Sequence, residues 1–454
     1  MTVQRWVSIQ VKGPFATATA AQATFVASAR SPPPSREPNV AAEPETQFPV
    51  VVVGAGAAGL MAALFAARAG APVVLIEGSK DGGRKILISG GGRCNILPSV
   101  VQPERYTTES SPNTLKKLLR AWPLSEQRTF FEAELEMPLE LEEESGKLFP
   151  ASHQARDVRD GLVRRVREAG VKIWFDTRVT QVQPHEGAWL VEMGDAPPLN
   201  AQAVILATGG LSVPATGSDG FGLGLARRLD HLVHSTYPAL TPLTATPHPH
   251  VDLSGISLTA TLSAPGTKPA FSTRGGFLFT HRGWSGPTVL DASHLAIRGR
   301  TDGERQEITV QWTADDAETW NARLLGGHSA VRSLVADAIP KRLADALLVE
   351  CGVPLDARTS QLKRDERQRL VAALSRYPLP WTGDEGYKKA EVTGGGVALS
   401  EVDPRTLESR RAPGLYLCGE ILDAFGPIGG HNFLWAWSTG RAAGNAAAEH
   451  SEAS

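Results

Sequence analysis

The sequence predicts an α/β fold whose parallel sheet is laid down from both ends of the chain, and three observations predict it. Four valines, Val50 to Val53, run directly into Gly54-Ala55-Gly56-Ala57-Ala58-Gly59. An Ala-rich helical segment from Ala57 to Ala69 follows, then Gly70 and a second apolar strand, Val73 to Ile76, ending in Glu77. Near the other end, the strand Gly414 to Cys418 meets the turn Gly419-Glu420, and a glycine-rich approach, Gly426 to Gly430, leads into a helix from about Asn432 to Ala448.

The first of these segments carries the spacing of a phosphate loop. Gly54 allows the tight turn, Gly56 lets backbone approach a pyrophosphate, and Gly59 lets helix and strand pack closely, with the helix N-terminus facing the anion. Glu77 lies 23 residues beyond Gly54, where a dinucleotide fold places the acid that accepts from an adenosine ribose. Phe48 to Ala67 is also a 20-residue run without a charged side chain, long enough to suggest a membrane span. The three glycines and the correctly spaced second strand favour a buried βαβ unit instead.

A chain of 454 residues suggests about three domains, or one large fold with an insertion. With 46 basic and 48 acidic residues the formal charge is -2, which supplies no global field for nucleic acid or an anionic membrane, so neither partner is expected. Cys94, Cys351 and Cys418 are far apart and form no CxxC, so neither a dithiol redox centre nor a disulfide framework is read from them, and a reducing cytoplasm is the default. No metal site is expected. Residues 1–47 are rich in Ala, Ser, Thr and Pro, with no acid before Glu37, and read as a disordered extension or an over-long start. A transit segment is the other reading of the same basic, acid-poor stretch.

Further along, Gly82 to Asn95 is a glycine-rich, basic loop and reads as a second cofactor-facing segment. A charge-rich helical stretch spans Asn113 to Glu134, a helix Arg156 to Ala169, and a strand Lys172 to Phe175. Ala203 to Leu206 is a strand that returns to the cofactor at Ala207-Thr208-Gly209. The partition is a cofactor domain over 48–236 and 382–450, interrupted by an antiparallel sheet or barrel at 237–313 and a helical segment at 314–381.

Two distant glycine loops on one architectural task suit FAD better than nicotinamide alone. In such folds the N-terminal unit holds ADP, while a C-terminal strand and helix hold the ribityl chain and isoalloxazine. Gly419, Glu420 and Asp423 then belong to the ribityl side, with Gly429, Gly430, His431 and Asn432 at the helix N-terminus.

Four motifs in order make a family resemblance specific: GRKILISGGGRCN (Gly83 to Asn95), FLFTHRGWSGP (Phe277 to Pro287), VTGGGV (Val392 to Val397) and LYLCGEILDAFGPIGGHNFLWAWSTG (Leu415 to Gly440). Through them the chain, from residue 48 onward, resembles the bacterial HI0933-like flavoproteins, whose members include bile-acid enoate reductases. The resemblance implies a two-dinucleotide-binding-type Rossmann FAD domain built from both chain ends, with an inserted β-barrel and helical segment. It implies FAD contacts from Gly54 to Gly59, Glu77, Gly78, Lys85, Gly92, Arg93, Cys94, Asn95, Val179, Ala207, Thr208 and Gly209. His431 stands where family members often carry an aromatic, and Ala424-Phe425-Gly426 where they often carry an aspartate-glycine pair. A shorter subgroup is one reading of these departures.

The expected reaction is hydride transfer, with NAD(P)H as a transient donor and a small organic acceptor such as an activated C=C bond. No second strand-plus-GxGxxG offers NAD(P)H a resident site, since Gly217 to Gly224 follows Pro214-Ala215-Thr216 rather than an apolar strand. Cys94 beside Arg93 is a candidate reactive thiol or a small buried residue. His431 is a candidate proton donor or a helix cap. Arg93 and Lys85 read as anion-binding. A flavin-bound redox sensor and a flavin-dependent RNA-modifying enzyme are the other function classes.

Overall fold

The opening strand, Gln47–Val53, forms because four consecutive β-branched residues are buried on both faces, as a strand central to a parallel sheet requires. It pairs in parallel with Val73–Ile76 on one side and with the long strand Ala196–Leu206 on the other. Val73–Ile76 pairs with Lys172–Trp174, also in parallel. Ala196–Leu206 serves two neighbours. Its first half pairs antiparallel with Ala188–Met193 of a hairpin, and its end, Val204 to Leu206, pairs in parallel with Leu415–Leu417 from the C-terminal segment. Both ends of the chain therefore enter one sheet. The computed structural model describes residues 47–453 except 195, 302 and 304, so the expectation of an extension over 1–47 lies, Gln47 aside, outside the described residues.

Across the sheet run two helices of small residues, Ala57–Arg68 and the C-terminal His431–Ala453. They cross closely enough that a Cβ on Gly440 would sit 2.4 Å from the Ala58 carbonyl oxygen, and one on Gly444 2.3 Å from that of Ala62. Larger residues would force the helices apart.

The chain leaves this domain along Val233–Ala239 and returns along Val392–Val397, the two strands pairing antiparallel with Tyr237 opposite Gly394. Between them lies a separate hydrophobic core that includes Leu243, Phe277, Trp284, Trp312, Trp320, Leu343 and Trp381. Its strands form a seven-stranded antiparallel sheet, where the sequence suggested a sheet or barrel; the hydrogen-bonded order begins at Tyr377–Pro378 and ends at Gly383–Asp384. Four helices follow within the expected helical segment, Ala317–Leu325, Val331–Ala336, Lys341–Glu350 and Arg364–Ser375. One element departs from the all-β reading of 237–313: Pro287–Thr301 is a helix packed on the sheet. Pro287 is pre-set for a helix's first turn, and Val289, Ala292 and Ala296 put a buried face at helical spacing.

Overpacking the helix crossing costs about 1–3 kcal/mol per site. Gly440→Val and Gly444→Val are expected to lower the thermal midpoint and the flavin content together, whereas Gly326→Ala, where an added Cβ meets nothing within 4 Å, leaves both unchanged. Calorimetry and absorbance of the purified variants check this.

Candidate functional site

Two glycine turns and two helix N-termini converge on a cavity of about 790 Å³. At the first, Gly54 has φ +101°, and a Cβ there would lie 2.6 Å from the Ala207 carbonyl oxygen. A Cβ on Gly59 would lie 1.8 Å from the Gly54 oxygen, so the third glycine serves helix-to-strand packing. Gly56 differs: a Cβ there meets no protein atom within 4 Å, because this glycine opens onto the cavity. No side chain caps the helix that begins at Ala57, and its first turn contains no acid, so its free N–H groups remain available to an anion.

At the second turn, Gly429 and Gly430 have φ +121° and +91°, and a Cβ on Gly430 would be 2.5 Å from the Leu97 carbonyl carbon. Asn432 clamps the approach to this turn. Its Oδ1 accepts from the Gly426 N–H at 2.8 Å and its Nδ2 donates to the Gly426 carbonyl at 3.0 Å.

A polar network joins the segments between the two turns. Glu420 accepts from Lys85 Nζ at 2.7 Å, from Ser212 Oγ at 2.6 Å, and from the Thr393 N–H and hydroxyl at 3.0 and 2.9 Å. Lys85 also donates to Ser212 Oγ at 2.6 Å. Glu77 accepts from the Ala55 N–H at 2.8 Å and, through its other oxygen, from the Ser79 N–H and hydroxyl at 2.9 and 2.6 Å. Two carboxylate oxygens offer about four acceptor sites, so capacity remains for a ribose hydroxyl.

The cavity brings together most of the residues expected from the sequence: Gly54, Gly56, Ala57, Ala58, Glu77, Gly78, Lys85, Asn95, Val179, Ala207, Thr208, Gly209, Gly419, Glu420, Gly429, Gly430 and Asn432 all line it. Ala55 and Gly59 stand behind the loop, in hydrogen bonding and packing respectively.

The remaining expectations need correction. Lys85 lines the cavity, but the anion its ammonium binds is the Glu420 carboxylate, with Ser212 beside it. Gly92 and Arg93 stand off the cavity; the Arg93 guanidinium lies 4.2 Å from the centre of the Phe149 ring and donates to Glu142. It therefore does not activate Cys94, which is fully buried and whose thiol burial pushes up to about 12. Asp423 also turns away from the cavity. It is buried and accepts from Thr108 Oγ1, the Glu109 and Ser110 N–H groups and Ser110 Oγ, fixing that loop against the C-terminal segment. His431 is buried behind the helix start, its ring edge-on to Tyr106, and burial together with Arg105 lowers its pKa to about 4. His431 is absent from the cavity lining and its imidazole is held neutral, so it is not placed to meet an acceptor there.

The basic loop meets the cavity through Gly90 and Gly91 as the segment reading expected, while sequence reasoning missed Val213 to Asp219 and Lys388 to Val392, among other lining residues. Val213 to Asp219 belongs to the glycine-rich region set aside for lack of a preceding strand, which excludes a second phosphate loop but not a cavity wall. Among the described residues no cluster of His, Cys, Asp and Glu could hold a metal ion, and no helix is long and apolar enough to cross a membrane.

A parallel sheet receiving strands from both chain ends, with helix N-termini and glycine openings on one cavity, defines a Rossmann-type FAD-binding fold. Residues 48–446 match the family described as HI0933-like protein Rossmann domain. A ribosomal RNA dihydrouridine synthase of Escherichia coli is 32% identical over 87% of this chain and 96% of that protein. A 3-dehydro-bile acid delta(4,6)-reductase of Clostridium scindens is 32% identical over 88% of this chain and 98% of that protein. Among solved structures, a flavocytochrome c3 fumarate reductase aligns over 91% of this chain and 80% of its own, with a TM-score of 0.48 and 19% identity. The chain belongs to the HI0933-like family of FAD-dependent oxidoreductases.

Two outcomes follow from this geometry. Gly56→Leu is expected to fold with a normal thermal midpoint while its FAD affinity falls at least about tenfold, or 1.4 kcal/mol, as measured by fluorescence titration of the apoprotein. Cys94, Cys351 and Cys418 are all buried with raised pKa values, so a thiol reagent is expected to label the native protein only after denaturation.

Proposed function

We propose that the protein reduces a C=C bond conjugated to a carbonyl, taking hydride from NAD(P)H through FAD. The observation that carries this reading is the lining of the cavity, which brings the first phosphate loop and the glycine turn ahead of the C-terminal helix together with Phe425 and with Lys388 to Val392 of the returning segment. The residues present fit FAD: the Gly56 opening and the uncapped helix suit the pyrophosphate, Glu77 the adenosine ribose, and Gly429-Gly430 ahead of His431–Ala453 a flavin edge that gains negative charge on reduction. When bound, FAD supplies the hydride chemistry. The protein's part is to bind and orient both reactants, exclude water and hold the proton. The names of the two relatives support this reading, one being a 3-dehydro-bile acid delta(4,6)-reductase and the other a ribosomal RNA dihydrouridine synthase.

A second reading has its own support. Lys388 and Lys389, exposed at the cavity, suit the phosphates of an RNA, the substrate type in the name of the Escherichia coli relative, whereas Arg84 and Arg178 in the same lining are paired with Asp81 and Asp219.

The purified protein is expected to show a flavin spectrum that bleaches anaerobically on addition of NADH or NADPH and recovers on addition of a cyclic enone. Recovery with an unmodified ribosomal RNA fragment but with no enone would select the RNA reading. A spectrum that neither nucleotide bleaches would remove NAD(P)H from the account.

A further inference from the structure

Glu391 is the residue that the functional account leaves unused and the structure sets apart. It is the last residue before the strand Val392–Val397, where the chain returns from the inserted domain to the cofactor domain. Its backbone N–H donates to the Leu240 carbonyl. Its carbonyl lies 3.3 Å from Ser212 Oγ, whose single proton goes to Glu420 at 2.6 Å, and Glu420 also binds Lys85 and Thr393. Glu391 thus adjoins the polar network that holds the cofactor segments together.

The side chain is treated differently. It lines the cavity and is open to it, and its carboxyl receives no hydrogen bond from the protein among the described residues. Every other carboxylate singled out here is held by N–H or O–H donors: Glu77 by Ala55 and Ser79, Glu420 by Lys85, Ser212 and Thr393, Asp423 by Thr108, Glu109 and Ser110. Donors of that kind stabilise an anion, and Glu391 has none. The charged groups facing it are Lys147, on the strand Lys147–Pro150, and Asp291, on the helix Pro287–Thr301. Lys147 favours the anion and Asp291 opposes it, so they act against each other. Although the side chain is exposed to the cavity, the protein packed around it displaces most bulk water, and this desolvation, the largest influence, raises the pKa to about 7, which leaves a large neutral fraction at physiological pH, where a proton donor is most effective. His431, the proton donor suggested by the sequence, and Cys94, the suggested reactive thiol, are both buried and absent from the cavity lining.

We propose that Glu391 is the catalytic acid of the reduction, giving its carboxyl proton to the acceptor within the cavity. The proposal rests on the reading of the protein as a reductase of conjugated C=C bonds. Hydride arrives with two electrons at the β-carbon, forming one C–H bond as the π bond breaks. The electron pair of that π bond takes the Glu391 proton at the α-carbon, forming the second C–H bond. Glu391 is left as carboxylate and recovers its proton from water reaching the cavity. Overall the acceptor gains two electrons and two hydrogens, and the nicotinamide donor loses two electrons as hydride.

The test uses the FAD-loaded protein and compares wild type with Glu391→Gln and Glu391→Asp. Unchanged FAD content and thermal midpoint certify folding. The first readout needs no turnover: the infrared difference between wild type and Glu391→Gln, both oxidised, is expected to contain a protonated-carboxyl C=O band that disappears as pH rises through about 7, the band of Asp291, itself raised to about 6, cancelling between the two. The second follows reoxidation of chemically reduced protein by cyclohexenone in deuterated buffer. Wild type is expected to incorporate deuterium at the α-carbon, with a rate that falls above neutral pH. Glu391→Gln is expected to be about 10²–10⁴-fold slower with that pH limb gone, and Glu391→Asp to restore the limb at a reduced rate. A Glu391→Gln protein that reoxidises at the wild-type rate, or that keeps the titrating band, overturns the proposal while leaving the reductase reading intact. A wild type that reacts with neither cyclohexenone nor any other conjugated acceptor sinks both.

Discussion

The site depends on one close approach, between the phosphate-loop helix Ala57–Arg68 and the C-terminal helix His431–Ala453. Gly440 and Gly444 lie one helical turn apart and face the carbonyls of Ala58 and Ala62, at distances that leave no room for a Cβ. Gly419 approaches the same helix, a Cβ there falling 2.7 Å from that of Ala58. Small residues on facing helix surfaces allow backbone-to-backbone packing that side chains would prevent. The interface joins segments nearly four hundred residues apart in sequence and aligns two helix N-termini on one cavity. Neither chain end would form the site alone.

From that constraint the rest follows. The strand Leu415–Leu417 joins the sheet beside Val204 to Leu206, which brings Gly419-Glu420 next to Ala207-Thr208. Glu420 then meets Lys85, Ser212 and Thr393, so one carboxylate ties the basic loop, the sheet terminus and the returning strand together. A buried or partly buried ion pair of this kind contributes more to alignment than to net stability, because desolvation offsets much of its attraction. Asp423 does the same for the loop at Thr108 to Ser110. The inserted domain keeps its own core, connects through two paired strands, and touches the cofactor cradle through the helix Pro287–Thr301, where Asp291 accepts from the Ile428 N–H and His294 packs edge-on against Phe425.

Much of this was legible in the sequence, for identifiable reasons. Val50 to Val53 and Val73 to Ile76 read as strands because both faces are buried, and the glycines at 54, 56 and 59 read as a phosphate loop because each has a distinct steric role. The helix Pro287–Thr301 was not legible because the Pro and Gly residues around it suggested turns, while its buried positions Val289, Ala292 and Ala296 are inconspicuous against an apolar background. The orientation of polar side chains was least legible. Asp423 and Glu420 lie three residues apart in the same motif, yet one turns into the loop and the other faces the cavity. Arg93 is adjacent to Cys94 in sequence, but its charge is spent on Glu142 and Phe149. Glu391 gave a faint signal, a single acid directly ahead of VTGGGV, and only the fold shows that it faces the cavity.

The central claim is that the two chain ends together hold one FAD. It is tested most directly by releasing the flavin from purified, FAD-saturated protein with acid, identifying it by chromatography, and counting it against protein. One FAD per chain, retained through gel filtration, is the predicted result. A protein that carries FMN, or that cannot be loaded with FAD after exhaustive reconstitution, would contradict the account at its root.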